Sequence, residues 1–326
     1  MNEFLLEVEN LNTSFFTDAG EVRAVRGVSF NLEKGKTLGL VGESGCGKTV
    51  TALSIMRLLA ANAKIIKGNI LYKGKELTAL SEEQMRQFRG SQIAMVFQEP
   101  MTALNPVFSI GEQIAEAIEL HQGVSKKEAI GKVIEVLGQV GIPSPDKRMK
   151  DYPHQLSTGM RQRVLIAMAI SCNPSILIAD EPTTALDVTI QAQILELISS
   201  LQKKTGIAMI LITHDLGIVA EVVDEVAVMY SGRIVERAQT TTLFEKPLHP
   251  YTVGLLDSIP VVENYEKKPL RAIKGSVPNL LHLPKGCSFS DRCPKAFSKC
   301  RESEPELIEV EKGHWVACYL YTDEHR

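Results

Sequence analysis

The sequence has little of what marks membrane-spanning, exported or nucleic-acid-binding proteins. Its longest apolar run, Val164 to Cys172, is about half of the roughly 18 residues that a membrane-spanning helix needs. The first residues carry glutamates where a secretory signal carries Lys or Arg. The formal net charge is only -3, which argues against a strongly basic surface. We therefore expect a protein that stays in the cytoplasm, has no membrane span and binds no nucleic acid.

The remaining composition is that of an ordinary globular protein, with 44% hydrophobic and 23% charged residues. A length of 326 residues leaves room for about two domains. The six cysteines are unevenly placed: Cys46 and Cys172 stand alone, and four lie between positions 287 and 318. In a reducing compartment such a cluster indicates metal or iron–sulfur ligation before disulfides.

A glycine-rich motif, Gly42-Glu-Ser-Gly-Cys-Gly-Lys48-Thr49, follows the apolar run Thr37 to Val41 and precedes a helical pattern. Its glycines allow the backbone to turn its N–H groups toward phosphates, and a helix N-terminus adds partial positive charge. Lys48 is placed to bridge the β- and γ-phosphates, and the Thr49 hydroxyl to ligate Mg²⁺. The alternative, a glycine-rich turn that happens to precede a helix, is much less compatible with the complete motif in this context. The sequence therefore predicts a nucleoside triphosphate site.

The distribution of apolar residues predicts an α/β fold that a helical segment interrupts. Continuous apolar runs at 37–41, 93–97, 176–180 and 207–213 are typical of strands buried on both faces of a sheet. After residue 239 prolines become frequent and periodicity fades. We predict three regions: an ATP-binding core over 1–98 and 164–238, a helical subdomain over 99–163, and a C-terminal extension with the four-cysteine cluster over 239–326.

Two carboxylates, Asp180 and Glu181, end the buried run that begins at Ile176. Hydrolysis of a triphosphate needs Mg²⁺ and a group that orients the attacking water. Asp180 is suited to hold the metal together with Thr49, and Glu181 to polarise the water. Solvated acids at a strand end are the alternative, which a preceding phosphate loop makes less favourable.

Over essentially all of residues 5 to 326, the chain resembles the nucleotide-binding subunits of ABC transporters. The likeness rests on six motifs in the family's order: Gly42 to Thr49 as Walker A, Gln98 as the Q-loop glutamine, Leu156-Ser-Thr-Gly-Met160 as the signature, Ile176 to Glu181 as Walker B, Ala185-Leu-Asp187 as the D-loop, and His214 as the switch histidine. The resemblance implies a phosphate-loop NTPase core with a mixed sheet, a helical signature subdomain and a loop-rich C-terminal extension.

The resemblance also implies roles for individual residues. Those expected to catalyse hydrolysis are Glu181, His214 and Gln98, and those expected to hold Mg²⁺ are Thr49, Gln98 and Asp180. Residues expected to bind ATP are Phe15, Phe16, Gly42, Ser44, Gly45, Cys46, Gly47, Lys48, Thr49, Val50, Gln98, Ser157, Gly159, Asp180 and Asp187. Several have a simpler alternative: the two phenylalanines as core residues, His214 as a half-buried histidine, Gln98 as a polar strand end, and Asp187 as a helix cap.

The signature departs from the common Leu-Ser-Gly-Gly-Gln at Thr158 and Met160, but Ser157 and Gly159 are present. In the family these two residues face the γ-phosphate bound by the opposite subunit. The resemblance therefore implies that two chains, as a heterodimer of paralogues or a homodimer, enclose two ATP molecules. It further implies two integral membrane permease subunits, which dock near Gln98 to Pro106, and indirectly an extracellular solute-binding protein. The chain would then lie peripherally on the cytoplasmic face of the cell membrane.

The C-terminal extension indicates which branch of the family the chain resembles. Lys246 to Leu256 and the cysteine tail resemble the oligopeptide, dipeptide and nickel uptake branch of the family. The spacing C-x5-C-x6-C-x17-C, formed by Cys287, Cys293, Cys300 and Cys318, lacks the C-x2-C knuckles of zinc sites. Four widely spaced thiolates suit a [4Fe-4S] cluster, which the branch resemblance also implies; zinc and unligated thiols are the alternatives.

The function expected from this resemblance is ATP hydrolysis that powers the import of dipeptides or oligopeptides through a multi-subunit transporter. Nickel or another small solute is the alternative cargo, and a soluble ABC ATPase outside transport is the alternative class. One cassette per chain and the absence of a heptad run disfavour the soluble class.

Overall fold

The structure is a computed structural model that describes residues 4–184, 186–259 and 273–322. The twelve strands of these ranges are β1 (Leu6–Thr17), β2 (Gly20–Leu32), β3 (Thr37–Val41), β4 (Ala63–Tyr72), β5 (Lys75–Glu76), β6 (Ile93–Val96), β7 (Ile176–Asp180), β8 (Ala208–Thr213), β9 (Glu225–Tyr230), β10 (Arg233–Gln239), β11 (Ile308–Glu311) and β12 (His314–Val316).

The α-helices of the same ranges are α1 (Lys48–Met56), α2 (Glu82–Phe88), α3 (Pro100–Ala103), α4 (Ile110–Gln122), α5 (Lys126–Gln139), α6 (Pro145–Arg148), α7 (Thr158–Ile170), α8 (Val188–Thr205), α9 (Leu216–Val222), α10 (Thr240–Glu245), α11 (Pro250–Asp257) and α12 (Lys299–Glu302). None of the described helices is both long and apolar enough to cross a membrane.

The chain divides into two compact units. The first comprises Met1–Asn31, Thr37–Thr78 and Ile212–Arg326, and the second Leu32–Lys36 and Ala79–Leu211, each over its described residues. The phosphate loop belongs to the first unit and the Walker B carboxylates to the second. The mixed α/β architecture that the sequence predicts is confirmed, whereas the three predicted domain boundaries stay a prediction.

In the first unit, one sheet has the order β2-β1-β4-β5, and β1 pairs antiparallel with β4. The other sheet contributes the order β11-β12-β10-β9-β3. Strand β3 is buried along its whole length and pairs in parallel with β9, from Leu38 opposite Glu225 to Val41 opposite Val228. Because β3 is fixed on this neighbour, the phosphate loop that follows it starts from a rigid point.

The C-terminal region, which is the part of the chain after β10, joins the sheet of the first unit by strand pairing. Strand β12 pairs antiparallel with β10, with Glu236 opposite Val316, and β11 pairs with β12. At the centre of this pairing the Glu236 carboxylate is fully buried and lies 2.8 Å from His314 Nε2. Strands β11 and β12 therefore extend the sheet of the first unit, although the sequence after residue 239 shows no strand periodicity.

In the second unit, β6 and β7 pair in parallel from Ile93 opposite Ile176, and β7 also neighbours the part of β8 in this unit. Helices α3 to α6 occupy the stretch that the sequence assigns to the helical subdomain. Capping boxes at Ser81, Ser109 and Ser125 begin helices α2, α4 and α5.

Candidate functional site

The phosphate loop is shaped by two glycines that have no room for a side chain. A Cβ on Gly42 would lie 2.2 Å from the Met229 carbonyl oxygen, and one on Gly47 would lie 2.5 Å from the Ala24 carbonyl oxygen. Both glycines have positive φ, 150° and 105°. Gly45, at φ 78°, needs glycine for its backbone conformation alone, since a Cβ there would meet nothing within 4 Å. The loop is thus held between neighbouring backbone segments.

Lys48 lies inside this loop, with only 5% of its surface exposed. Its Nζ donates to the Gly42 carbonyl at 2.8 Å and to the Glu43 carbonyl at 3.1 Å, and lies 3.7 Å from Cys46 Sγ. Burial raises the pKa of the Cys46 thiol against the opposing effect of the Lys48 charge, so the thiol is protonated at neutral pH. Cys46 therefore acts as a small packed residue beside the lysine.

Helix α1 begins directly after the loop. Gly47 is its N-cap and supplies no side chain to cap the first turn, while Thr51 Oγ1 donates back to the Gly47 carbonyl at 2.9 Å. Ser44, Gly45 and Thr49 are exposed on the loop and first turn. This arrangement of an uncapped helix start, a buried ammonium group and exposed hydroxyls fits a triphosphate with its metal ion.

Phe15 and Phe16 occupy consecutive positions near the end of β1, so their rings point to opposite faces. Phe16 is 47% exposed and Phe15 is partly buried. The exposed ring of Phe16 is the better placed of the two for stacking on a base; the expected role stays a prediction.

In the second unit, the structure joins two residues predicted from separate motifs. Gln98 Nε2 donates to Glu181 Oε2 at 3.0 Å, and Thr184 Oγ1 donates to the same oxygen at 2.8 Å. Glu181 has φ 44°, a left-handed conformation that is uncommon outside glycine. Asp180 precedes it at the end of β7 and is 3% exposed. The Q-loop and Walker B motifs therefore form one hydrogen-bonded group.

Sequence reasoning missed Thr184 in this group. Thr184 follows Glu181 by three positions, and its N–H donates to the Glu181 carbonyl at 3.1 Å, so a tight turn brings the two side chains together.

The signature residues lie at the start of helix α7. Ser157 is the N-cap, and its hydroxyl accepts from the Met160 N–H at 3.3 Å. Thr158 is the first helical residue and has no positive φ, so its β-branched side chain fits the backbone there. A Cβ on Gly159 would lie 2.8 Å from Ile190 Cγ2. The helix begins six residues before the apolar run Val164 to Cys172, because the cap at Ser157 sets its start.

Asp187 and His214 lie at helix and strand ends. Asp187 caps α8 by accepting from the Ile190 N–H at 3.0 Å, which confirms the cap predicted as its simpler role. Ala185 of the expected D-loop lies outside the described residues. His214 follows β8 and is exposed, and Asp215 after it caps α9. His214 thus stands at the carboxyl end of a strand, and its role stays a prediction.

The four cysteines of the C-terminal region line one small cavity, together with His249 and Phe289. Burial raises the pKa of Cys287 to about 11 and that of Cys318 to about 12, and the neighbouring thiols add to both shifts. Burial also raises the pKa of Cys293. The pKa of His249 falls to about 3 through burial, and its Nδ1 accepts from the Tyr251 N–H, so the ring is neutral. Sequence spacing alone did not point to His249.

The residue types fit a thiophilic metal group, since thiolates are its preferred ligands and all four cysteines line this one cavity beside Ser290 and Lys295. Within the described ranges, however, no three His, Cys, Asp or Glu side chains are arranged to hold a metal ion. The expected iron–sulfur cluster is therefore treated below as a proposal.

Comparison with known proteins places these motifs in a family. Residues 25–184 match the family model described as ABC transporter, and residues 235–300 match that of the oligopeptide/dipeptide transporter C-terminal region. Two relatives from Bacillus subtilis are each 53% identical to this chain: an oligopeptide transport ATP-binding protein, AppD, and a dipeptide transport ATP-binding protein, DppD. The first match covers 98% of this chain and 98% of the relative, and the second 98% and 95%.

A solved structure with the same fold is that of MJ0796, described as a dimeric bacterial ABC transporter cassette. It superposes with a TM-score of 0.65 at 24% identity, over 72% of this chain and 98% of its own. At this identity, the structural similarity shows that the two chains share a fold and shows nothing further about this chain. The sequence identities and both family models together establish that this chain belongs to the ABC transporter family, among the ATP-binding proteins of oligopeptide and dipeptide transporters.

Proposed function

We propose that this chain is the ATP-hydrolysing subunit of a multi-subunit importer of oligopeptides or dipeptides. The observation that carries the proposal is 53% identity over 98% of the chain to proteins described as oligopeptide and dipeptide transport ATP-binding proteins. The buried Lys48 in a glycine loop and the Gln98–Glu181 hydrogen bond support the ATPase activity. The chain supplies the free energy of hydrolysis, and separate subunits select the solute.

The chemistry assigns a role to each motif. Lys48 and the loop N–H groups bind the β- and γ-phosphates, which neutralises the charge that develops during transfer. Thr49, Asp180 and Gln98 would hold Mg²⁺, which would supply positive charge opposite the phosphate oxygens. Glu181 polarises the attacking water, and its hydrogen bonds from Gln98 and Thr184 fix the carboxylate that does so.

ATP is enclosed between two subunits, so that Ser157 and Gly159 of one contact the γ-phosphate bound by the other. The exposed hydroxyl at the start of α7 supports this role, because a helix N-terminus favours a phosphate anion. Asp187 contacts the partner, and His214 contacts the γ-phosphate. The partner is a paralogous ATPase subunit or a second copy, and ATP binding and release closes and opens the pair.

The catalytic role and the dimer are tested with the full chain carrying Glu181→Gln, alone and mixed with a paralogous subunit. Hydrolysis should fall at least about 100-fold, since a positioned base contributes that much or more. Size measurement with Mg-ATP should show a dimer. Glu196→Gln, an exposed acid on α8, is the control and should hydrolyse normally as part of the same assembly. Retained hydrolysis would refute the role of Glu181, and a monomer in every mixture would refute the enclosed nucleotide.

Two integral permease subunits anchor the chain peripherally to the cytoplasmic face of the membrane, and an extracellular binding protein delivers the solute. This follows from the described role of the relatives in transport and requires no span in the chain itself. Co-expression with the permeases should move the chain to the membrane fraction, and peptide with its binding protein should stimulate hydrolysis. Stimulation by nickel but not by peptide would reassign the cargo.

The four cysteines are also inferred to hold a [4Fe-4S] cluster. Their shared cavity supports this, and a bound cluster would cross-link the loop-rich C-terminal region. Anaerobically purified protein should contain about four iron and four sulfide per chain and absorb visible light. Cys300→Ser should lose both, while Cys172→Ser, which alters a cysteine outside the group, should keep them. Colourless protein with stoichiometric zinc would refute the cluster.

A further inference from the structure

The phosphate loop carries an ion pair to a residue 249 positions away. Arg292 Nη1 donates to Glu43 Oε2 at 2.6 Å, and Nη2 donates to Oε1 at 2.9 Å. The Arg292 side chain is 5% exposed and that of Glu43 30%. Glu43 is the second residue of the loop, between Gly42 and Ser44. A two-pronged, mostly buried contact of this kind fixes both position and orientation of the carboxylate.

Arg292 is itself held on several sides. Its Nε donates to the Lys274 carbonyl at 3.1 Å, and its Nη1 also reaches the Tyr230 hydroxyl at 3.3 Å. The guanidinium carbon lies 5.8 Å from the ring centres of both Tyr230 and Phe289. The hydrogen bonds to Glu43 raise the pKa of Arg292 further, so the charge is permanent. The arginine therefore presents a rigid contact to the loop.

A second contact holds the backbone of the same residue. The Glu43 N–H donates to the Tyr251 hydroxyl at 2.8 Å. Tyr251 is fully buried and packs on Tyr230 and Phe289, with ring centres 4.7 and 5.4 Å apart. The C-terminal region thus contacts Glu43 at both its side chain and its main chain.

The other end of the loop is tied to the same region through a turn. The Gly232 N–H donates to the Cys46 carbonyl at 2.9 Å. The Gly232 carbonyl accepts from the Arg26 N–H of β2 at 2.7 Å, and Arg233 follows Gly232 at the start of β10. Both arginines pair with Glu304 at 2.8 Å. Burial opposes ionisation of Glu304, but the two arginines outweigh it and hold its pKa below the usual value.

We propose that Arg292 is a positioning residue of the nucleotide site, which acts through Glu43 to hold the phosphate loop in the conformation that receives the triphosphate. The proposal rests on the proposed function, because it concerns the ATP site of that function. A loop with three glycines has many conformations in solution, and ordering it during binding would cost affinity. A fixed contact made before binding removes that cost, so loss of the contact should appear in nucleotide affinity.

The matched control is Arg237, which pairs with Glu225 in the same two-pronged manner at 2.7 and 3.1 Å. This pair joins β10 to β9 within the same unit and makes no contact with the phosphate loop among the contacts of the described residues. Arg237→Gln should cost as much stability as Arg292→Gln. If Arg292 were only structural, both variants would affect nucleotide binding equally.

The experiment measures the dissociation constant of Mg-ATP by calorimetry on the full chain, with thermal unfolding in parallel. Arg292→Gln should raise the constant about tenfold, and Arg292→Lys, which keeps the charge and part of the hydrogen bonding, about threefold. Arg237→Gln should stay within twofold of the unmodified chain. The double variant of Glu43→Gln with Arg292→Gln should bind no more weakly than Arg292→Gln alone.

An unmodified chain that fails to bind Mg-ATP would refute the proposed function and not this contact. A folded Arg292→Gln that binds within twofold of the unmodified chain would overturn the positioning role, and additive losses in the double variant would overturn its action through Glu43. If Arg292→Gln does not fold, Arg292→Lys and Tyr251→Phe decide: each should bind about threefold more weakly, and unchanged binding in both would overturn the proposal.

Discussion

Replacing Gly42 by alanine is expected to displace the phosphate loop and abolish nucleotide binding. The new Cβ would lie 2.2 Å from the Met229 carbonyl oxygen and 2.9 Å from Cys46 Sγ. Carbon and oxygen atoms normally approach no closer than about 3.3 Å, so one of the two backbone segments must move by about 1 Å. The nearer atom is the backbone oxygen of Met229, a fully buried residue of β9, so no side-chain rotation can relieve the contact.

The cost has two parts. Forcing an extra carbon into a packed site costs about 1–3 kcal/mol, and holding alanine at φ 150°, a region used by glycine, costs about 1–3 kcal/mol more. We expect a loss of about 4 kcal/mol. Gly313, in the turn between β11 and β12, is the control in the same unit, since its φ is 74° and a Cβ would meet nothing within 4 Å. Gly313→Ala should cost about 1–2 kcal/mol, the strain of the left-handed backbone alone.

The assay is urea unfolding followed by circular dichroism, together with Mg-ATP binding. Gly42→Ala should unfold at clearly lower urea than Gly313→Ala and should not bind Mg-ATP, whereas Gly313→Ala should bind normally. The reasoning is refuted if the two variants unfold within about 0.5 kcal/mol of each other, a difference typical of unrelated surface sites. Normal binding of Mg-ATP by Gly42→Ala would refute it as well.

Three further outcomes follow from single contacts. Glu236→Ala removes the hydrogen-bond partner of two buried backbone N–H groups and of the buried His314 ring. The free energy of unfolding, measured in urea, should fall by about 4 kcal/mol. A loss under about 1 kcal/mol would contradict this expectation. Burial raises the pKa of Cys287 to about 11 and that of Cys318 to about 12. Because the thiolate is the form that reacts, both cysteines of the metal-free protein should be alkylated slowly at pH 8 and faster only as the pH approaches those values. Rapid alkylation at pH 8, measured by mass spectrometry, would contradict this expectation. Ser157→Ala and Ser125→Ala each remove a helix cap, and each should lower the free energy of unfolding by about 1 kcal/mol. Only Ser157→Ala should reduce ATP hydrolysis by the assembled subunits. Equal hydrolysis by the two variants would show that Ser157 acts only as a cap.

The sequence by itself determined the features that depend on neighbours within a few positions. Strand β3 was predicted with its observed limits, Thr37 to Val41, since a short apolar run between a turn and a glycine loop is too short for a buried helix. The capping boxes at Ser81 and Ser125 are local in the same way, because the two partners of each box lie three residues apart. The family motifs are local in the same sense, which is why their order was sufficient to identify the family.

Only the tertiary structure decided which distant segments meet. Arg292 and Glu43 are separated by most of the chain, and no pattern of charge or spacing links them before the C-terminal region packs beside the loop. The strict need for glycine at position 42 comes from the carbonyl of Met229 on the neighbouring strand, and the meeting of four cysteines with His249 comes from the packing of the region after β10. Local pattern sets which element forms, whereas contacts between elements depend on sheet order and burial, which sum over the whole unit.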